Sequence, residues 1–125
     1  MPANKDEQLV RWVVKDPMSI TVTMYEEDFQ DHILVRHGIM GKNETAIKET
    51  VEDPDRIYHD KEDVKRRVYL RSSTSATYSK NNLSTKVIVE DTSHVWTDAR
   101  VVTAFPVKKE GESDVRQIYK RPDES

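Results

Sequence analysis

The period of the apolar residues changes twice along this 125-residue chain, and those changes constrain its fold more than any single motif does. Ile20, Val22 and Met24 alternate with Ser19, Thr21 and Thr23, the period of two that gives a strand one buried face. After Tyr25 the step becomes four. Phe29, Ile33 and His37 form one row and His32 with Arg36 a neighbouring one, as on one side of a helix. Glu26, Glu27 and Asp28 fall in its first turn, where carboxylates suit the helix dipole, and Gly38 marks a stop. Thr45 can cap a second helix carrying Ile47 and Val51, which Asp53-Pro54 ends. From Arg56 the period returns to two, predicting strands over 56–60, 67–71, 86–90 and 99–105, with an earlier short one over 9–14. The Ser-, Thr- and Asn-rich stretch 72–85 reads as a long loop or an open hairpin tip. The order of strand, two helices and a meander predicts an α+β fold with helices on one face of an antiparallel sheet.

Hydrophobic residues make up 35% of the chain and charged residues 34%, so the core must come from these few short runs. Both ends are charged and lack sustained periodicity, which predicts a compact domain over 9–107 between tails at 1–8 and 108–125. Ile118 and Tyr119 could tack the second tail back onto the body. Cysteine is absent, which excludes disulfides, thiol nucleophiles and thiolate metal centres. No stretch approaches the roughly 20 apolar residues that span a bilayer, and Met1–Gln8 is polar and mixed in charge. The expectation is a soluble, cytoplasmic protein.

Charge is unevenly spread. The chain is net −3, yet from Val64 to Val89 it carries no Asp or Glu and six cations: Lys65, Arg66, Arg67, Arg71, Lys80 and Lys86. Tyr69 and Tyr78 are interleaved with them, so the stripe offers cations for phosphates and rings for bases. In a strand, Arg67, Tyr69 and Arg71 share one face. The plainer alternative is a solvated face whose cations pair with Asp60, Glu62, Asp63 and Glu90.

His32 and His37 flank Arg36 in the first helix. Imidazoles near their ordinary pKa exchange protons at neutral pH, and an adjacent guanidinium can hold a phosphate meanwhile. Cleavage of an RNA backbone by its own 2′-hydroxyl needs a base, an acid and cationic help for the phosphorane. A single histidine on a helix is more often a surface or satisfied core residue than a functional one. Asp28, Asp31 and His32, Asp91 with His94, and His59 with Asp60 could hold a metal, but none matches a ligand motif. No metal or cofactor is expected, since glycine-rich phosphate loops and a serine elbow are missing as well.

The succession Asp31-His32-Ile33-Leu34-Val35-Arg36-His37, then Ile47 to Tyr58, Arg67-Val68-Tyr69-Leu70, Lys86-Val87-Ile88-Val89 and Val102-Thr103-Ala104-Phe105 resembles the phage-associated nuclease branch of the barnase, EndoU, colicin and RelE-like fold. The resemblance covers about Ile20 to Pro106. It implies N-terminal helices packed on a small, curved antiparallel sheet whose open face binds RNA, and a metal-independent ribonuclease acting as a toxin or in phage–host conflict. It also implies His32 as acid or base, Arg36 and His37 as phosphate ligands or proton carriers, and Thr103 as a substrate-orienting hydroxyl. Gly38 stands where a proline is frequent, and Phe105 where a tyrosine is.

The leading expectation is therefore a small endoribonuclease that cuts by transesterification, with Arg66, Arg67, Tyr69, Arg71, Tyr78, Lys80 and Lys86 binding RNA. A toxin of this kind needs an antitoxin or immunity protein as partner. The alternatives are a non-catalytic RNA- or protein-binding module, which the net negative charge favours, and a structural domain without nucleic-acid contact.

Overall fold

A computed structural model describes residues 8–108 and 117–122. Its described residues form a seven-stranded mixed sheet: β1 (Val10–Lys15), β2 (Thr21–Tyr25), β3 (Arg56–His59), β4 (Arg66–Arg71), β5 (Leu83–Asp91), β6 (Asp98–Lys108) and β7 (Gln117–Lys120). The spatial order is β1-β2-β6-β5-β4-β3-β7. Every neighbouring pair is antiparallel except β2 and β6, which run parallel over Thr21–Thr23 against Asp98–Arg100.

This architecture corrects the expectation of N-terminal helices packed on a small antiparallel sheet. The helical elements are short: α1 spans Glu44–Glu52, and the segment after β2 is a wide-turned π-helix over Asp28–Leu34. Neither is long enough to form a layer. The apolar runs 10–15 and 21–25 instead pair with each other and enter the sheet through β6. The sheet thereby gains strands at both ends of the chain and dominates the fold.

One face of the sheet carries the core. Val22 and Met24 on β2, Val101 and Ala104 on β6, Val87 and Val89 on β5, Tyr69 on β4 and Ile57 on β3 are fully buried, together with Ala46, Ile47 and Val51 of α1. The helix row read from the sequence splits: Phe29 and Ile33 enter the core, while His37 lies outside it. Asn43 occupies the N-cap position of α1, but its side chain bonds Ile39 O and both Thr77 N and Thr77 Oγ1. That ties down the connection from β4 to β5. The connection folds onto the core instead of standing open, because Tyr78 is buried and its hydroxyl lies 2.6 Å from Thr85 Oγ1. The expected C-terminal tail contributes β7, whose Ile118 and Tyr119 pack against the core; Met1–Glu7 lie outside the described residues.

The opposite face is laid out in three cross-strand rows. Arg66, Glu90 and Arg100 form one, Val68, Ile88 and Thr103 the next, and Leu70, Lys86 and Phe105 the third. A bulge in β6 makes the second and third rows possible. Val89 pairs with Val101 but Ile88 pairs with Thr103, leaving Val102 as an extra residue. Strict alternation would put Thr103 on the core side with Val101. The bulge turns it to the other face while Ala104 returns to the core, the re-aiming for which bulges are known.

Candidate phosphodiester-cleavage site

The π-helical segment follows β2 directly and packs against both β2 and β6. Where it leans over the outer face of β6, a depression of about 380 Å³ opens, lined by Asp28, His32, Arg36, His37, Arg66, Arg100, Val102, Thr103 and Phe105. Three separate parts of the chain contribute: the helical segment with the residue that follows it, β4 and the bulged part of β6. Residues five apart do not share a face of a regular α-helix, since five steps turn through about 500°. His37 reaches the same side because it stands past the helix with a non-helical backbone, and π-helical turns such as 28–34 recur at functional sites.

A chain of ion pairs runs beneath the depression. Arg100 Nη1 donates to both carboxylate oxygens of Asp28, at 3.2 and 3.1 Å, and Arg100 Nη2 donates to Glu90 Oε2 at 3.3 Å. Arg66 Nε donates to Glu90 Oε1 at 3.2 Å and stands 3.6 Å from Asp63. His32 Nε2 lies 3.8 Å from Asp28 Oδ1. Arg66 and Arg100 are thus fixed by carboxylates, whereas Arg36 is exposed and has no ion-pair partner among the described residues. His37 stacks on the Phe105 ring with centroids 4.9 Å apart, and Lys86 Nζ sits 5.8 Å from the same ring. Among the described residues Thr103 Oγ1 is buried without a hydrogen-bond partner, a state that costs a native hydroxyl stability unless something else satisfies it.

Of the residues singled out in the sequence, His32, Arg36, His37, Thr103 and Arg66 meet in this depression, and Lys86 stands beside it. The others lie elsewhere. Arg67, Tyr69 and Arg71 do share a face of β4, but it is the core face. Arg67 stacks on Trp96 at 4.2 Å, held there by the turn between β5 and β6, where His94 and Trp96 adopt left-handed backbone conformations. Tyr69 is fully buried, with its hydroxyl donating to Asp16 Oδ2. Burial first, and then this carboxylate, raises its pKa far above the ordinary value. Burial also raises that of Tyr78. Neither ring has a face free for a base. Arg71 donates to Ser73 O and Asp53, and Lys80 is exposed on the turn Thr77–Asn81, away from the depression.

Arg100 is the site residue that sequence reasoning missed. Asp28 was read as a dipole or metal-binding carboxylate and Phe105 as standing where a tyrosine is frequent, while Glu90, read as a pairing partner for the stripe's cations, does bind Arg66; Arg100 is an unremarkable polar position in an alternating strand. Only the cross-strand register shows that Arg100 and Glu90 stand in one row.

No protein-family model, curated protein or solved structure matches the chain. Among the described residues no helix is long and apolar enough to cross a membrane.

Proposed function

We propose that the protein is a metal-independent endoribonuclease and that the depression between the π-helical segment and β6 is its active site. One observation carries the reading: two imidazoles, three guanidiniums and an unpartnered buried hydroxyl converge there from distant parts of the sequence. These are the groups that phosphodiester transesterification uses. His32 accepts the proton of the 2′-hydroxyl as its oxygen attacks phosphorus. His37 donates a proton to the departing 5′-oxygen as the P–O5′ bond breaks, leaving a 2′,3′-cyclic phosphate and a free 5′-hydroxyl. Arg36, unpaired and exposed, takes the non-bridging oxygens first. Arg66 and Arg100 are already braced by carboxylates, so the N–H groups they keep free can be offered to the phosphorane without reorganisation. Thr103 Oγ1 hydrogen-bonds the ribose or phosphate. As a toxin, the protein would be neutralised by an antitoxin or immunity protein covering this depression.

Purified protein incubated with total RNA in EDTA tests the reading. Fragments ending in cyclic phosphate are expected, and a folded His32→Ala/Arg36→Ala variant is expected to give none. Binding of RNA without cleavage would assign the same depression to a non-catalytic binding module, and cleavage that persists in the variant would remove the site assignment.

A further inference from the structure

We infer that Asp28 is a positioning residue for His32: its carboxylate accepts the Nε2–H of the neutral imidazole, which leaves Nδ1 as the nitrogen that takes a proton. Asp28 is the one carboxylate among the residues lining the depression; the other polar ones are Arg36, Arg66, Arg100, His37 and Thr103. The histidine and the arginines offer His32 either repulsion or further donors, and Thr103 belongs to a different strand row. Among the described residues Asp28 is the carboxylate that stands within ion-pair distance of His32, at 3.8 Å from Nε2. That separation is longer than a hydrogen bond, so the proposed contact requires a small rotation of the exposed His32 ring toward Asp28 in the free protein.

Two further observations separate this role from the ordinary one of an acidic first-turn residue. A carboxylate that merely complements a helix dipole remains in solvent, whereas Asp28 is 6% exposed. It is also held by both oxygens, because Arg100 donates to each, and Arg100 is itself held by Glu90 in the same cross-strand row. The carboxylate is therefore fixed to the sheet while the imidazole it faces rides on the helix four residues later. The contact sets the orientation of His32 relative to Thr103 and Arg100, which stand on β6. An imidazole facing a pure acceptor keeps its proton on that side, so one tautomer is selected.

Nitrogen-15 NMR of the histidine side chains tests this on the free protein, with exposed His59 and His94 as internal references. At a pH where all are neutral, His32 is expected to be wholly the Nε2–H tautomer, while His59 and His94 show the mixture of an unconstrained imidazole. In Asp28→Asn, whose amide can either donate or accept, His32 is expected to lose that exclusivity. Wild-type His32 showing the same mixture as His59 and His94 would overturn the assignment without any variant having to fold. The kinetic half rests on the proposed function: Asp28→Asn is expected to lower kcat about tenfold or more with little change in KM. An unchanged kcat in the folded variant would overturn the positioning role. A selected tautomer in a wild-type protein that cleaves no RNA would support the pairing and count against the nuclease reading instead.

Discussion

The hydroxyl of Tyr69, at the centre of β4, donates to Asp16 Oδ2 in the turn between β1 and β2, while Asp16 Oδ1 accepts the backbone N–H groups of Met18 and Ile20. Asp16 is 5% exposed, so this carboxylate depends on those donors. Tyr69→Phe is expected to destabilise the protein by about 1–3 kcal/mol in urea unfolding. RNA cleavage at 25 °C should be unchanged, because the ring is buried in the core. A loss of cleavage equal to that of His32→Ala would return Tyr69 to the RNA-binding residues.

Arg36 and Arg67 are both candidate phosphate contacts in the sequence, but the structure separates them. Arg36 is exposed at the depression and Arg67 stacks on Trp96. Plots of log affinity for single-stranded RNA against log salt should lose about 0.7 of their slope in Arg36→Ala, the loss of one phosphate contact. Arg67→Ala should keep the wild-type slope. The opposite result would place the RNA on the Trp96 side.

Thr103 Oγ1 offers a case in which stability and activity should part. Thr103→Val removes a buried hydroxyl without a partner, so unfolding should occur at the same or slightly higher urea concentration. If the hydroxyl serves the substrate, kcat/KM for RNA should fall about tenfold, the worth of one hydrogen bond to a charged group. A variant less stable than wild type would show that the hydroxyl has a structural partner in solution.

Glu44, at the start of α1, accepts from Arg11 Nε and Nη2 and from Trp12 Nε1, each at 2.7 Å, which fastens β1 to the helix. The Arg11 hydrogen bonds, opposed by burial, hold its carboxyl below the ordinary 4.5. A depressed folded-state pKa contributes stability that is present above the unfolded value and is lost as pH falls through the folded one. The wild-type urea midpoint should therefore drop below about pH 4.5 more steeply than that of Glu44→Gln. Parallel curves would show that the contact is not maintained in solution.

The positions of individual elements were legible, though the fold class was not, because hydrophobic period depends on near neighbours. The alternation at Ile20, Val22 and Met24 and the Ile47–Val51 spacing mark β2 and α1 within two residues of their observed bounds, and the four-step row of Phe29 and Ile33 brackets the helical segment Asp28–Leu34. What escaped depends on distant partners. Nothing local tells Thr21–Thr23 to run parallel to Asp98–Arg100, and that pairing is what turns an expected meander into a seven-stranded mixed sheet. The same holds at the site. Arg67, Tyr69 and Arg71 were placed on a common face correctly, but which face is covered depends on Trp96 and on Tyr78 folding back over it. His32 and Arg36 stand out as a local pair, whereas Arg100 joins them only through the register of β6 and the Asp28 contact.

The parallel pairing of β2 with β6 extends over only three residue pairs, and among the described residues it is the sole sheet connection between the hairpin β1-β2 and the ribbon β6-β5-β4-β3-β7. Pairing within the two antiparallel units is short-range except between β3 and β7, about sixty positions apart, and the seam between the units brings together residues more than seventy positions apart. Loop closure of that length is slow relative to hairpin formation, so the seam should be among the last parts of the sheet to assemble and among the first to open. The depression straddles it: His32 and Arg36 follow from the hairpin, while Arg66, Arg100 and Thr103 belong to the ribbon. A ligand that bridges the two sides would act as a clasp, and its binding should slow amide exchange along Thr21–Thr23 more than at the centre of β4.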